Sequence, residues 1–533
     1  MHKSIVMAGV MAGMLVLLWR QFALGAEQST SISAAGNRAC EALGRADLST
    51  LQDAPTHITR ADRIGRHGDT PSYCRVHGYV EPRIGFEILL PTARWNEKFI
   101  ELGCGGACGV LDEWACEHPL GKGYACIVSD MGHRGESGDW RWARNNLRAR
   151  VDFGFRSTHV TAIAGKALTR LYYHRPPRES YFSGCSTGGR QAMVEAERFP
   201  WDFNGIIAGA PPLNFAANSL AQLWASLAAT STTGKAVLTP AAVRLVHQAV
   251  LAQCDLDDGV RDGVVGNPSA CAVDAGRLLC RAGQSKGCLT DEQVAATKKI
   301  YAGPFAATDS LSKGGYMPGS ELEWIGPDLA ADGGRGFLYS YNLGKFRYAF
   351  FPDSRPGWQP AAADFRADHR RLGLMEALYS ASNPDLRQFK RNGGKLLMYQ
   401  GWSDPFEPPV ATTEYYDTVE RLMGGKADTQ DFYRLFMVPG MGHCTGGEGA
   451  WAIDYLTYLD EWVEEGRAPA RLIGWHVDLP DDPVKSQQIE RNLRFPLRAP
   501  QATFSRPVYP YPLRAKYDGT GDPTRAESFA PIG

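Results

Sequence analysis

The sequence has no excess of charge of either sign. Its 533 residues include 57 lysines and arginines against 58 aspartates and glutamates, for a formal net charge of -1. Proteins that bind nucleic acids or anionic membrane surfaces usually carry a clear basic surplus. The composition therefore predicts no nucleic-acid partner and no stable association with a membrane.

Repeats and zinc-binding patterns are also missing. The sequence has no internal repeat and no low-complexity tract, which excludes repeat arrays and biased disordered tails. Among the 12 cysteines there is no CxxC pair and no His/Cys cluster with the spacing of a structural zinc site. The even number of cysteines favours disulfide bonds in an oxidising compartment. The close pairs Cys254/Cys271 and Cys280/Cys288 are expected to be local disulfides.

Beyond its N-terminal segment, the sequence has no apolar run that could span a membrane. In that segment Lys3 precedes an apolar run over residues 5–19, and the small residues Gly25 and Ala26 follow. This order is typical of a signal peptide, so we expect cleavage after residues 1–26 and a periplasmic or secreted protein. An uncleaved anchor helix is the alternative, although about 15 apolar residues are fewer than the roughly 20 that span a bilayer.

Short apolar segments alternate with segments of helical spacing over residues 37–212 and 383–533. The strand-like "ESYFSG", for example, is followed closely by the helix-like "GGRQAMVEAERFP". This alternation predicts an α/β fold with a mostly parallel, doubly wound sheet. It is lost over residues 213–382, where we expect an inserted domain. The C-terminal part of 383–533 is rich in proline and arginine and is expected to wrap the core.

One serine stands between glycines where a predicted strand meets a predicted helix. The segment "GCSTG", with Ser186 at its centre, matches the pattern G-x-S-x-G. The pattern alone is weak, because ordinary tight turns also match it. A strand directly before it and a helix directly after it are typical of the sharp turn that exposes the nucleophile of an α/β-hydrolase. We therefore predict that Ser186 is a nucleophile.

A serine hydroxyl needs a base to take its proton, and two later strands end in suitable residues. "KLLMYQGWSD" ends at Asp404, and "RLFMVPGMGHC" contains His443. The order Ser, Asp, His is that of α/β-hydrolases, and parallel strands bring their carboxyl ends to one edge of the sheet. We predict that His443 is the general base and acid and that Asp404 orients its imidazole.

A cysteine adjoins each of two predicted functional residues. Cys185 precedes Ser186, and Cys444 follows His443. If the serine and the histidine meet, the two cysteines are neighbours, and a disulfide between them would join the two loops. Two separately buried thiols are the alternative.

The Cys-Ser, Asp and His-Cys elements in this order resemble the signature of the tannase and feruloyl esterase family. The resemblance covers roughly residues 37–530 and includes four segments: "ARWNEKF", "GCSTGGRQ", "VPGMGHCTGG" and "RPVYPYPLRAKYDGTGD". It implies a serine esterase with an α/β-hydrolase core and a large lid between nucleophile and acid. The inserted block at 213–382 lies in that interval.

The resemblance also implies where a substrate oxyanion is held. One donor is expected to be the backbone N–H of Thr187, directly after the nucleophile. The second is expected from the glycine-rich loop "GCGGACG", with Gly106 favoured over Gly105. Cys104 and Cys108 in this loop depart from the family pattern.

Further cysteines are expected in disulfides. Cys40 and Cys74 belong to this group. For four others the sequence leaves the pairing open: Cys104, Cys108, Cys116 and Cys126.

A second site is expected in the loop "CDLDDGVRDGVVGNPSAC", residues 254–271. Carboxylates so close together repel one another unless a hard cation neutralises them, and Ca²⁺ takes oxygen ligands. A solvated acidic loop is the alternative. Because the family's lid carries a calcium loop of this form, the resemblance implies a structural Ca²⁺. Its ligands would be the side chains of Asp255, Asp258 and Asp262 and the backbone carbonyls of Val260 and Val264.

An aromatic acyl pocket is expected between the lid and the triad, with Trp324 and Phe337 as substrate-binding residues. In the terephthalate-cleaving branch of the family, an arginine four residues before a lid phenylalanine holds the substrate carboxylate. Here that position is Gly333, and Arg335 or Arg347 would have to replace the arginine.

The sequence thus predicts an exported serine carboxylesterase that acts on esters of phenolic carboxylic acids, such as gallate or ferulate esters. One alternative is a hydrolase of mono(2-hydroxyethyl) terephthalate-like monoesters. Another is a non-catalytic, calcium-stabilised binding protein on a hydrolase fold. The oligomeric state stays open.

Overall fold

The structure is a computed structural model that describes residues 38–533 apart from 69, 305–314, 361–363, 481–482, 492 and 494. The segment predicted as a signal peptide lies outside the described residues. Within the described ranges, no helix combines the length and the apolar character needed to cross a bilayer.

Nine strands form one central sheet. They are β1 (Thr56–Ile64), β2 (Tyr73–Val80), β3 (Ile84–Pro91), β4 (Lys98–Leu102), β5 (Ala125–Ser129), β6 (Glu179–Cys185), β7 (Gly205–Gly209), β8 (Lys395–Gly401) and β9 (Tyr433–Val438). Their order across the sheet is β1-β2-β3-β5-β4-β6-β7-β8-β9. The pairs β1–β2, β2–β3 and β3–β5 are antiparallel. The pairs β5–β4, β4–β6, β6–β7, β7–β8 and β8–β9 are parallel. The predicted α/β fold with a mostly parallel sheet is confirmed.

Helices cover both faces of this sheet. The α-helices are α1 (Glu117–Gly121), α2 (Leu147–Val151), α3 (Ser157–Tyr173), α4 (Thr187–Arg198), α5 (Phe215–Ala229), α6 (Pro240–Cys254), α7 (Asp291–Ala302), α8 (Phe337–Gly344), α9 (Phe365–Leu372), α10 (Leu374–Tyr379), α11 (Arg387–Arg391), α12 (Pro409–Leu422), α13 (Lys426–Gln430), α14 (Tyr455–Glu465) and α15 (Pro483–Arg491). Short 3₁₀ turns span Glu113–Cys116, Arg141–Ala143, Asp255–Asp258, Pro268–Ala270, Ala275–Leu278, Glu321–Trp324 and Ala526–Ser528, and π-turns span Asp152–Arg156 and Lys345–Ala349.

The central strands are apolar on both faces because helices cover each side. Successive residues of a strand point to opposite faces. Phe182 of β6 therefore joins one core with α3 and α4, whereas the preceding Tyr181 joins a second core with α14. Helix α14 contacts β7 and β8, and its Leu459 and Trp462 are fully buried. The result is three layers, with the carboxyl ends of the parallel strands at one edge.

The chain leaves the sheet after β7 and returns at β8. This long connection, residues 210–394, carries α5 to α11 and adds no strand to the central sheet within its described part. Its helices contribute two further apolar cores, one around Phe215 and Phe346 and one around Val243 and Trp324. The predicted inserted domain, residues 213–382, falls within this connection.

The C-terminal residues pack along β9. Strands β10 (Leu472–His476) and β11 (Phe504–Val508) form one small sheet, and β12 (Arg514–Tyr517) and β13 (Phe529–Ile532) form another. The Tyr511 N–H donates to the Leu435 carbonyl at 2.8 Å. An edge strand exposes unpaired backbone groups, so this segment protects β9 from pairing with other chains.

All cysteines in the described part of the chain form disulfides. The pairs are Cys40–Cys74, Cys104–Cys108, Cys116–Cys126, Cys185–Cys444, Cys254–Cys271 and Cys280–Cys288. The pairing that the sequence leaves open is thus 104 with 108 and 116 with 126.

Replacing Leu459 of α14 with alanine is expected to lower the free energy of unfolding by about 2–5 kcal/mol, because a fully buried leucine leaves a cavity. The matched control is Leu422→Ala at the end of α12, where the leucine is 46% exposed and the expected change is within about 0.5 kcal/mol. Urea unfolding measures both values. Equal losses for the two variants would contradict the packing described here.

Candidate active site

Ser186 occupies a sharp turn between β6 and α4. Its backbone has φ = 61°, in the left-handed region, and its N–H donates to the Gly209 carbonyl at 3.0 Å. A Cβ atom on Gly184 would come within 2.6 Å of the Gly188 backbone carbon, so the turn needs a glycine there. This geometry holds the serine at the carboxyl edge of the sheet, as in a strand–nucleophile–helix turn.

His443 and Asp404 are directly hydrogen-bonded. The Nδ1 atom of His443 lies 3.0 Å and 2.9 Å from the two Asp404 carboxylate oxygens. Asp404 is 1% exposed and also accepts hydrogen bonds from the Phe406 and Glu407 N–H groups and from Gln400 Nε2. The Phe406 ring stacks on the imidazole at 4.2 Å. These contacts fix the ring so that Nδ1 faces the carboxylate and Nε2 is left for another partner.

Ser186 and His443 line the same cavity, which has a volume of about 590 Å³. The Cys185–Cys444 disulfide holds their loops together, with a Cα–Cα distance of 6.0 Å across a sequence separation of 259 residues. Among the described residues, no hydrogen bond joins the Ser186 hydroxyl to the imidazole. Catalytic hydrogen bonds are often long in ligand-free structures, so the shared cavity and the linked loops are the observations that bring the two residues to one site.

Two residues with available backbone N–H groups line the cavity together with Ser186: Gly106 in the loop after β4 and Thr187 at the start of α4. Thr187 is the first residue of α4, so its N–H has no acceptor within the helix. The Gly106 N–H has no acceptor among the described residues, and the Gly106 carbonyl accepts a hydrogen bond from Thr187 Oγ1 at 2.7 Å. Gly106 has φ = 60°, and both Gly105 and Gly106 line the cavity.

The same loop is anchored at several points. The Cys104–Cys108 disulfide closes it, and the Gln191 side chain of α4 accepts from the Cys104 N–H at 3.2 Å. His133 Nε2 lies 2.7 Å from the Ala107 carbonyl. Burial lowers the pKa of His133 to about 4, so the imidazole is neutral near pH 7 and its Nε2 carries the donated proton.

The cavity has aromatic walls with polar groups among them. Phe337, which the sequence analysis predicts to bind substrate, is among the lining residues, together with Phe215, Tyr341 and Phe406. The polar lining includes Gln222, Ser340, Lys345 and Glu407. Sequence reasoning missed Lys345 and Glu407. The available signal was a lysine opening the aromatic segment "KFRYAFF" and a glutamate three residues after Asp404.

Trp324, also predicted as substrate-binding, is not among the described residues that line this cavity. Its indole is fully buried in the core of the long connection, and its Nε1 donates to Ser320 Oγ at 3.0 Å. The two arginines that were considered for carboxylate binding also lie outside the lining. Arg335 donates to the Thr232 carbonyl, and Arg347 donates to the Trp358 carbonyl.

The acidic loop after α6 is closed by the Cys254–Cys271 disulfide. Asp255, Asp258 and Asp262 each accept hydrogen bonds from backbone N–H groups of the loop. Burial, with repulsion from the other two aspartates, raises the pKa of Asp258 to about 7. Arg506 contacts Asp262 at 2.6 Å. The carboxylate oxygens are hard metal ligands, and their arrangement disfavours the ionisation of all three groups at once.

A different cluster brings its ligand atoms closer together. His159, Glu195 and Asp202 have potential ligand atoms within 4.8 Å of one another, a spacing that could hold a metal ion. His159 Nδ1 lies 2.5 Å from an Asp202 oxygen, and Lys166 donates to the Asp202 backbone carbonyl. The lysine already places one cation at this cluster.

The mostly parallel sheet covered by helices, with Ser186, Asp404 and His443 following strands that end at one edge, is the fold of an α/β-hydrolase. The family model "Tannase and feruloyl esterase" matches residues 68–332 and 358–532. The chain therefore belongs to the tannase and feruloyl esterase family, as the sequence motifs predicted, and is a carboxylic ester hydrolase.

Three similar proteins illustrate this relationship. An uncharacterised esterase of Xanthomonas campestris is 32% identical, with 97% of this chain and 94% of the relative covered. The mono(2-hydroxyethyl) terephthalate hydrolase of Piscinibacter sakaiensis is 30% identical, with 93% and 92% covered. The crystal structure of feruloyl esterase B from Aspergillus oryzae matches with a TM-score of 0.79 at 25% identity, covering 93% of this chain and all of that one.

Gly106→Ala is expected to lower kcat for ester hydrolysis by on the order of 100-fold, because misplacing a reacting group by about 1 Å has that effect. A Cβ atom there would overlap the Ser137 carbonyl oxygen, so the loop and its N–H group must move. At Gly105 a Cβ atom meets nothing within 4 Å, and Gly105→Ala is the matched control. Steady-state kinetics on an aryl ester compare the two. Similar kcat values for both variants would contradict a role of the Gly106 N–H group in ester hydrolysis.

Proposed function

We propose that this protein is an exported serine esterase that hydrolyses esters of phenolic carboxylic acids, such as gallate or ferulate esters. The observation that carries the proposal is the His443–Asp404 hydrogen bond in the cavity that Ser186 lines. A neutral hydroxyl becomes an effective nucleophile when an oriented imidazole takes its proton.

The reaction follows from these positions. Ser186 Oγ attacks the ester carbonyl carbon while His443 Nε2 takes the hydroxyl proton. The N–H groups of Gly106 and Thr187 donate to the oxyanion that forms. The imidazolium then returns its proton to the leaving alcohol, which yields an acyl-enzyme on Ser186. Water, deprotonated by His443, attacks this ester, and the acid leaves with Ser186 restored.

The aromatic walls support an aromatic acyl group. A cavity of about 590 Å³ lies within the range of small-molecule sites. Rings such as Phe215, Phe337 and Phe406 provide flat apolar surfaces for stacking. Relatives are named as probable feruloyl esterases, for example that of Aspergillus terreus at 31% identity over 79% of this chain.

Export and a structural Ca²⁺ belong to the same proposal. Six disulfides within the described residues support an oxidising compartment. In the loop after α6, Asp255, Asp258 and Asp262 bring three carboxyl groups together, and Arg506 pairs with one of them. Ca²⁺, held by these aspartates and the carbonyls of Val260 and Val264, would stabilise their ionised forms.

Ser186→Ala is expected to reduce ester hydrolysis by on the order of 10⁴–10⁶-fold, because the hydroxyl is the nucleophile. A fluorophosphonate probe should label the unchanged protein at Ser186 and leave the variant unlabelled. Ser231→Ala, which changes a serine outside the cavity, is the control and should keep both properties. An active or labelled Ser186→Ala variant would refute the proposed nucleophile.

Millimolar Ca²⁺ is expected to raise Tm and a chelator to lower it, because a ligand that binds only the folded state stabilises it. Asp258→Asn should lose most of this response. Asp257→Asn is the matched control, since Asp257 lies in the same loop, pairs with Arg514 and is not among the proposed ligands. Thermal unfolding with and without calcium measures the effect. A Tm of the unchanged protein that does not change with calcium would refute the site.

A further inference from the structure

Lys345 is an unusual residue for the wall of an aromatic cavity. It begins the π-turn after α8, is 2% exposed, and lines the same cavity as Ser186. Its Nζ donates to Ser219 Oγ at 2.9 Å and lies 4.3 Å from the centre of the Tyr341 ring and 4.7 Å from that of Phe215. Among the described residues, this is its one side-chain hydrogen bond, so the amine has further hydrogen-bonding capacity.

Glu407 lies on the same wall and is equally buried. It is 4% exposed, and its carboxylate accepts a hydrogen bond from Asn218 Nδ2. Within the described residues, no ion pair joins Glu407 directly to Lys345. Burial raises the pKa of Glu407 and lowers that of Lys345 to about 7, and each group opposes the shift of the other. The two groups therefore interact electrostatically without a direct hydrogen bond, and each can form a further hydrogen bond.

A third polar group has an unmet requirement at this wall. Gln222 is 2% exposed and lines the cavity, and its Nε2 donates to the Phe406 carbonyl at 2.5 Å. Its Oε1 is buried without a hydrogen-bond partner. Buried polar atoms are almost always paired in folded proteins. This unpaired amide oxygen adds to the polar character of the lining that Gln222 shares with Lys345 and Glu407.

We propose that Lys345 and Glu407 bind a ring hydroxyl of the acyl group and so select phenolic esters. This inference rests on the proposed function. A phenolic hydroxyl both donates and accepts one hydrogen bond, and the pair offers one acceptor and one donor whether the proton is on the amine or on the carboxyl. An unsubstituted ring would leave the remaining hydrogen-bonding positions of these buried groups unfilled, and such sites reject the substrate that lacks the hydroxyl.

The same surroundings disfavour a carboxylate on the acyl ring. Repulsion from Asp404 is, after burial, the largest contribution that raises the pKa of Glu407. A substrate carboxylate beside Glu407 would meet the same repulsion and the same loss of solvation. A methoxy group in place of the hydroxyl accepts a hydrogen bond but donates none, so it would leave the acceptor of the Lys345–Glu407 pair without the hydrogen bond that the hydroxyl donates.

Four methyl esters that differ only at the ring para position test this inference: cinnamate, 4-hydroxycinnamate, 4-methoxycinnamate and 4-carboxycinnamate. The quantities measured are the ratios of kcat/KM between esters, which do not depend on the fraction of folded enzyme. The unchanged enzyme should prefer the hydroxy ester over the unsubstituted and carboxy esters by at least about 10-fold. Lys345→Met should reduce the hydroxy-to-unsubstituted ratio by about 10-fold. Glu407→Gln should reduce the hydroxy-to-methoxy ratio.

Lys390→Met is the control, because Lys390 lies on α11 and donates to the Asp428 carbonyl outside the cavity. Its ratios should equal those of the unchanged enzyme. Ratios that stay within about 2-fold of those of the unchanged enzyme in both cavity variants would overturn the inference, because a pair with a purely structural role does not distinguish between ring substituents. Preference for the carboxy ester would overturn it as well.

The dissociation constants of the hydroxy and unsubstituted esters for the Ser186→Ala protein provide a second readout without turnover. Tighter binding of the hydroxy ester, lost in Ser186→Ala/Lys345→Met, supports the inference even if the role of Ser186 is wrong. Ester hydrolysis with no discrimination between the ring substituents refutes only this inference. Absence of both hydrolysis and fluorophosphonate labelling in the unchanged protein refutes the proposed function.

Discussion

The Cys185–Cys444 disulfide is the constraint on which the arrangement of the site depends. It joins the turn after β6 to the loop after β9, two strands that are separated in the sheet by β7 and β8. In the chain-entropy model, a loop of this length restricts the unfolded chain by on the order of 5 kcal/mol. The bond also adjoins Ser186 on one side and His443 on the other, so it limits how far the two loops can separate. Because the disulfide already positions the loop that carries His443, Asp404 has only to orient the imidazole ring.

Several carboxyl groups surround this histidine. Asp404 accepts several hydrogen bonds, and two more carboxyl groups, Glu323 and Glu407, lie close enough for Asp404 to influence them. Burial, with repulsion from Asp404, raises the pKa of Glu323 to about 7. A carboxylate that is hydrogen-bonded to the Nδ1 atom of a histidine stabilises a positive charge on the imidazole. In the proposed reaction, Asp404 would in this way favour the imidazolium that forms when Ser186 loses its proton.

The features that the sequence predicted are those with local signals. A strand, a glycine-flanked serine and a helix in direct succession indicated the turn at Ser186, and apolar runs ending at Asp404 and next to His443 indicated strands that end at the same edge. The confirmed α/β fold follows from the same alternation of segments. The cysteines in the loop after β4 could not be paired from sequence, because pairing depends on distances in space and four cysteines allow several combinations.

The composition of the cavity wall was much harder to predict. Lys345 is one charged residue in an aromatic segment, and only the packing of α8 against α5 brings it to the cavity. Trp324 looked like a substrate-binding residue because it is large and aromatic, yet such residues also fill cores, and this one is fully buried in the long connection. Which side of a helix faces a cavity is decided by tertiary contacts that periodicity does not encode.

The long connection leaves and rejoins the sheet at neighbouring strands. Gly209, at the end of β7, is paired with Tyr399 of β8, and Gly205 is paired with Lys395, where the chain returns. Gly209 and Lys395 lie at opposite ends of these two parallel strands, about 14 Å apart when a rise of about 3.3 Å per residue is combined with a strand spacing of about 4.8 Å. A segment attached in this way can be lengthened, shortened or exchanged without changing the register of any strand. Evolution and protein engineering can therefore alter the part of the cavity lining that this connection contributes, while the residues that follow β6, β8 and β9 stay where the sheet holds them.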